Sequence, residues 1–204
     1  MAVAHRYNIV DFIGMDDQAK AHLRELAPIV QHELPRIMQD FYEHLKQWPN
    51  MMATFSSQKS MQHAHDRQYA HWQQLFQARF DEAYMESVRK VGRAHARHGL
   101  KPDWYIGGYS FVLTRLHAMI NRHYPDRLGR NRHERRSELQ AAVTRAVMLD
   151  MQYAISIYLD EAEQEKMDAL TRAGDSFNDG VGEINQEMNT AVADLSETAN
   201  ALMS

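Results

Sequence analysis

The feature that most limits what this chain can fold into is its shortage of breakers. Glycine and proline number 9 and 5 in 204 residues, and nearly all of them fall between stretches whose apolar residues recur at helical spacing. No segment alternates polar and apolar residues with period two for long enough to make a strand. The expected fold class is all-α. Hydrophobic residues at 44% suffice for a real core. A net charge of −4, with no lysine or arginine stripe, argues against a nucleic-acid partner. The absence of cysteine removes disulfides, thiolate nucleophiles, cysteine-ligated zinc and iron–sulfur clusters, and fits a reducing cytoplasm. The opening MAVAHRYNIVDFIG lacks the apolar core and cleavage pattern of a signal peptide, and no run is long and apolar enough to span a membrane. Two counts stand out, 12 histidines and 13 methionines. The first suit ligation, and the second suit an adaptable core or pocket lining.

Along the chain, Tyr7, Ile9, Val10, Phe12 and Ile13 suggest a short helix or packed arm. Asp16 and Asp17 can cap a helix with Leu23, Leu26, Ile29 and Val30 on one face. Pro28 and Pro35 are expected to interrupt it, Pro35 opening a new helix over 35–47 that ends before Trp48-Pro49. A loop or short turn over 50–58, around Met51, Met52 and Phe55, follows. The next helix is expected over 59–77, with Met61, His65, Gln68, Tyr69, Trp72, Leu75 and Phe76 on its inner side. Further helices are expected over 80–98, 103–123 and 132–172. Beyond Gly174-Asp175, the residues Phe177, Val181, Ile184, Met188, Ala191, Leu195, Thr198 and Leu202 keep a 4-3 spacing, a heptad seam that needs a partner helix. The domain boundary is placed near 172–176, giving one domain over 1–172 and a coiled-coil segment over 173–204.

The stretch VGRAHARHGLKPDWYIGGY, 91–109, is the most informative. It reads as a helix end carrying His95 and His98, a break at Gly99, and a second helix opened by Pro102 and Asp103. Such an arrangement can present one imidazole to a buried planar cofactor. It is equally a helix end whose histidines favour the negative end of the macrodipole. Competing chemistry is missing. No histidine has a glutamate three residues before it, His133-Glu134 is not followed by a second zinc-spaced histidine, and no phosphate loop, nucleophile turn or paired-carboxylate site is visible. No catalytic residue is expected. Haem iron needs a strong axial ligand in an apolar pocket. On the gas side, Tyr42, His65 or Gln68 can supply a hydrogen-bond donor.

The run AHARHGLKPDWYIGGY resembles the proximal motif of the globin-coupled sensors, roughly His-x-Arg-x-Gly-Leu-x-Pro-x-Trp-Tyr-x-Gly-[Ala/Gly]-[Tyr/Phe]. DFYEHL (40–45) is similar to that family's Phe-Tyr stretch, and RQYAHW (67–72) to its distal helix. The resemblance covers roughly residues 10–165. It implies a globin fold with an extra amino-terminal helix, haem b as cofactor and His95 as the iron ligand. By the same resemblance Tyr42 is the distal donor and Tyr105 touches the proximal imidazole and relays ligand state. Phe41, Tyr69 and Trp72 fall on the matching pocket segments, and Gln68 matches a polar pocket position. Two departures stand out: His65 replaces a leucine of the distal helix, where it can meet the gas or the iron, and His98 replaces an aliphatic residue. The resemblance further implies a homodimer through helices 103–123 and 132–165.

The tail FNDGVGEINQEMNTAVADLSETANALM is similar to the start of the signalling helix of methyl-accepting chemotaxis proteins. The expectation is a cytoplasmic haem-based O₂ sensor, possessing no enzymatic activity, that passes ligand state to a downstream signalling module, in chemotaxis before other outputs. NO or CO are the other gases such a pocket takes. The competing expectations are the sensor of a diguanylate cyclase, a haem globin enzyme acting on NO or peroxide, and a haem-free globin-like module.

Overall fold

The structure, a computed structural model, describes residues 9–97, 99–125 and 130–203. The expectations on Tyr7 and His98, and on the side chains of Tyr158 and Thr198, lie outside the described residues. Among the described residues there are seven helices and no strand: α1 Ile9–Phe12, α2 Asp17–Leu45, α3 Pro49–Met52, α4 Gln58–Phe76, α5 Glu82–Arg97, α6 Pro102–His123 and α7 Arg130–Met203. The chain divides into two compact units, residues 1–158 and 159–204.

In the first unit α2 is the spine, packing against α4 and α6, while α4 packs on α5. Asp16 caps it, its carboxylate accepting from the Ala19 N–H at 2.8 Å. The expected break at the prolines is not there: α2 runs through Pro28 and Pro35 as one helix of 29 residues. Both prolines are exposed, so the carbonyls they deprive of a donor face water. The opposite face is a continuous buried stripe of Leu23, Leu26, Val30, Leu34, Ile37 and Met38. Its burial stabilises by roughly 1.5–3 kcal/mol per large side chain and outweighs two lost ladder bonds. The loop or short turn expected over 50–58 opens with the single-turn helix α3, which has Pro49 in its first turn.

Helix α5 meets α7 at a glycine. A Cβ on Gly92 would lie 2.9 Å from the Ile157 Cδ1 and 3.3 Å from the Ala154 carbonyl oxygen. The side-chain tip can yield but the backbone oxygen cannot. Gly92→Leu is therefore expected to destabilise by about 1–3 kcal/mol, although leucine is the better helix former, and a lowered midpoint in urea unfolding measures it.

The second unit is a stretch of α7 that continues without a break through Gly174-Asp175, so the boundary expected near 172–176 falls inside a helix. Phe177, Ile184, Met188, Leu195 and Leu202 of the heptad seam are exposed along it.

Candidate functional site

The junction of α5 and α6 explains why His95 stands where it does. The Leu100 N–H bonds the His95 carbonyl at 3.0 Å and the Gly99 N–H bonds the Ala96 carbonyl at 2.9 Å. This is the paired closure of a Schellman end. Gly99 takes the left-handed conformation it needs, at φ 67°. Lys101 is extended and Pro102 starts α6. His95 is thereby held on the last turn of α5, and its ring meets the edge of the Tyr105 ring from the first turn of α6, with centroids 5.0 Å apart.

Both rings wall a cavity of about 280 Å³. Phe41, Tyr42 and Leu45 enter it from α2, Met51 from α3, and Thr54 and Phe55 from the following loop. Helix α4 contributes Ser60, His63, Ala64, Arg67, Gln68, His71 and Trp72. Helix α5 gives Val91, Ala94 and His95, and α6 gives Trp104, Tyr105, Gly108 and Tyr109. Gly108 lets the Phe41 ring lie close, 3.4 Å from where a Cβ would be. The walls are mostly apolar, with a few convergent polar groups, the usual composition of a small-molecule site.

Of the residues singled out in the sequence, His95, Tyr42, Gln68, Tyr105, Phe41 and Trp72 all line this cavity. His65 and Tyr69 do not. The His65 ring packs against Tyr42 at 5.1 Å, and its Nδ1 lies 3.0 Å from an oxygen of Asp66. Tyr69 accepts from the Gln73 amide on α4's own surface at 3.1 Å. The face of α4 turned to the cavity follows Ser60, Ala64, Gln68, His71 and Trp72, and His65 and Tyr69, one helical turn apart, lie together beyond its Trp72 edge. His63 and Arg67 are exposed residues at its edge. The sequence offered no signal for them beyond position, since 60, 63, 64, 67 and 71 recur with Gln68 at helical spacing.

Tyr42 is buried among Phe41, Phe55 and His65. Burial first, and the Asp66 carboxylate second, push its titration up, so its hydroxyl is a neutral donor across the physiological range. Behind the cavity lies a feature the sequence did not announce. Asp150 of α7 is wholly buried. It accepts from His71 Nε2 at 2.9 Å and from the hydroxyls of Tyr84 and Tyr109, while the Tyr109 and Tyr105 oxygens lie 2.8 Å apart. Burial pushes the His71 imidazole down, but the adjacent carboxylate more than offsets this and holds it above the ordinary range. Burial likewise pushes Asp150 up, and the His71 charge with the three donated hydrogen bonds brings it below the ordinary carboxylate range. Both shifts run in the direction that favours an ion pair between His71 and Asp150.

The fit of a porphyrin can be tested on the walls themselves. The Trp72 indole N–H and His71 Nδ1 are buried at the cavity without a hydrogen-bond partner among the described residues. An otherwise apolar chamber thus holds an imidazole at a helix end, a neutral phenol and unsatisfied buried donors. That set fits a planar apolar cofactor with an axial ligand site.

An all-α chain with a histidine-bearing pocket of this kind is a globin-like domain. Comparison with known proteins agrees. Residues 7–164 match the Protoglobin family model, and the chain belongs to the protoglobin family. It is 26% identical over 166 residues to the heme-based aerotactic transducer HemAT of Halobacterium salinarum. That match takes in 79% of this chain and 34% of the transducer, so the chain spans about a third of the length of that relative. It also superposes on the globin domain of a Geobacter sulfurreducens globin-coupled sensor with a TM-score of 0.67, at 21% identity, covering 74% of this chain and 95% of the other. The fold is a globin. The kinship with globin-coupled sensors read from residues 95–109 is supported by all three matches.

Proposed function

We propose that this chain is a haem-based O₂-sensing domain, acting as a homodimer in the cytoplasm and passing ligand state to a downstream signalling module of the aerotactic type. One observation carries the reading: His95, fixed by the Schellman end of α5, and Tyr42, a buried neutral phenol, wall the same apolar cavity. The aerotactic assignment draws on the named relative, and no helix among the described residues is long and apolar enough to cross a membrane.

Haem b, when bound, would supply an iron able to bind an imidazole and a diatomic gas. His95 would hold the iron, and its ring is set against Tyr105. Tyr42 donates a hydrogen bond into the gas side, and Gln68 is the second polar group there. His65 acts from behind, buttressing Tyr42. Phe41, Leu45, Phe55 and Trp72 exclude water, and Arg67 and His63 bring donors to the edge where carboxylate substituents of the cofactor can meet them. Tyr105 carries a change at His95 into α6, and the dimer runs through 103–123 and 132–165.

The deciding measurement is an absorption spectrum of the purified chain after supply of haem: a Soret band is expected, and its absence would sink the reading. On the gas side, Tyr42→Phe is expected to release O₂ roughly fivefold faster, the loss of a hydrogen bond worth about 1 kcal/mol. Stopped-flow release rates check this, and an unchanged rate would transfer the donor role to Gln68.

A further inference from the structure

The buried cluster behind the cavity has a direction. An ionised carboxylate only accepts hydrogen bonds, so at Asp150 the hydroxyl of Tyr109 must donate. With its proton committed there, the Tyr109 oxygen can only accept from Tyr105, 2.8 Å away. The Tyr105 proton is then committed in turn, and Tyr105 presents an oxygen with lone pairs, its ring edge against His95 at 5.0 Å. The chain Asp150–Tyr109–Tyr105–His95 joins α7, α6 and the last turn of α5. Asp150 holds a second cavity wall as well, through His71 of α4. Tyr84 of α5 completes the carboxylate's partners and takes no part in the path to Tyr105.

Packing alone does not call for this arrangement. A buried carboxylate bonded to donors from three helices is costly to desolvate, and apolar residues of similar volume commonly serve stability as well. What apolar residues cannot do is fix which way a row of hydroxyls points.

We propose that Asp150 is a positioning residue that sets the direction of the Tyr109–Tyr105 hydrogen-bond chain, and through it the setting of the His95 imidazole, so that α7 and the cavity report on each other. An amide in place of the carboxylate offers N–H donors of its own. An N–H that donates to Tyr109 frees that hydroxyl to donate to Tyr105, which reverses the chain.

The test compares Asp150→Asn, Tyr109→Phe and Tyr84→Phe in the full chain by two readouts at His95. One is the imidazole ¹⁵N resonances of the haem-free protein. The other, which rests on the haem reading above, is the iron–imidazole stretching frequency of the haem-loaded ferrous protein. Asp150→Asn and Tyr109→Phe are expected to move both signals. Tyr84→Phe removes an equally buried hydrogen bond to the same carboxylate and is expected to leave both at their wild-type positions. Unmoved His95 signals in Tyr109→Phe, or an equal movement in Tyr84→Phe, would overturn the proposal, since the cluster would then be structural only. Should Asp150→Asn not fold, the two tyrosine variants decide. A chain that takes up no haem fails the functional reading alone, and the nitrogen resonances still decide this one.

Discussion

His95→Ala is expected to leave a folded chain that no longer keeps haem. After loading and desalting, the variant should lack the Soret band that the wild type retains. Loss even of a group that merely orients a metal ligand commonly costs 10–100-fold in metal affinity, so removal of the ligand itself is expected to weaken haem retention by at least roughly 100-fold. The fold should survive. His95 is only half-buried and sits in the last turn of α5, alanine is the better helix former, and the hydrogen bond that closes the helix uses the His95 carbonyl. Far-ultraviolet circular dichroism separates the two effects. Free imidazole added to the variant is expected to restore part of the band, because the cavity walls from α2, α4 and α6 do not depend on residue 95. Retention of haem with an unchanged spectrum would reassign the ligand, with His63 and His71 as the other described histidines that line the cavity.

That prediction rests on a stretch whose physics is local, which is why it could be read in the sequence. Gly99 at a left-handed position, Pro102 at the first turn of the next helix and the short link between them depend only on neighbours. The apolar stripe of α2 was legible for the same reason. Pro28 and Pro35 misled because proline's local cost is real, and what overrides it is tertiary: a buried stripe on the far side of the same helix. The rotation of α4 was missed by a similar margin. His65 and Gln68 are both compatible with an inward face by spacing, and only the position of α2, which sets Tyr42 against the His65 ring, decides which of them reaches the cavity. The Asp150 cluster was out of reach altogether. Its partners lie 79, 66 and 41 residues away in sequence, and an aspartate inside a long helical pattern reads as a solvent-facing charge until the packing of α4, α5 and α6 surrounds it.

Asp150→Ala is expected to be the most destabilising single change in the first unit, by about 3–5 kcal/mol, the usual consequence of stripping one partner from a buried ion pair. The His71 imidazolium would be left without its anion, and two buried tyrosine hydroxyls without their acceptor. The pair also predicts how the wild type responds to pH. Its groups face one another and the hydroxyls of Tyr84, Tyr109 and Tyr105, and burial together with the carboxylate keeps Tyr84 and Tyr109 neutral far into the alkaline range. The folded state raises His71 above the ordinary imidazole value of about 6.5. That contribution is therefore complete below about pH 6.5 and is lost as pH rises through the folded-state value. The folded state lowers Asp150 below the ordinary carboxylate value of about 3.9. Its contribution is complete above about pH 3.9 and is lost as pH falls through the folded-state value. The pair thus stabilises most between about pH 4 and 6.5 and less on either side. Urea unfolding of wild type and Asp150→Ala across that range should give a stability difference that is widest inside the window and narrows as the medium turns alkaline. A difference that stayed constant with pH would mean that His71 is neutral in the folded protein, and that the carboxylate is held by hydrogen bonds alone.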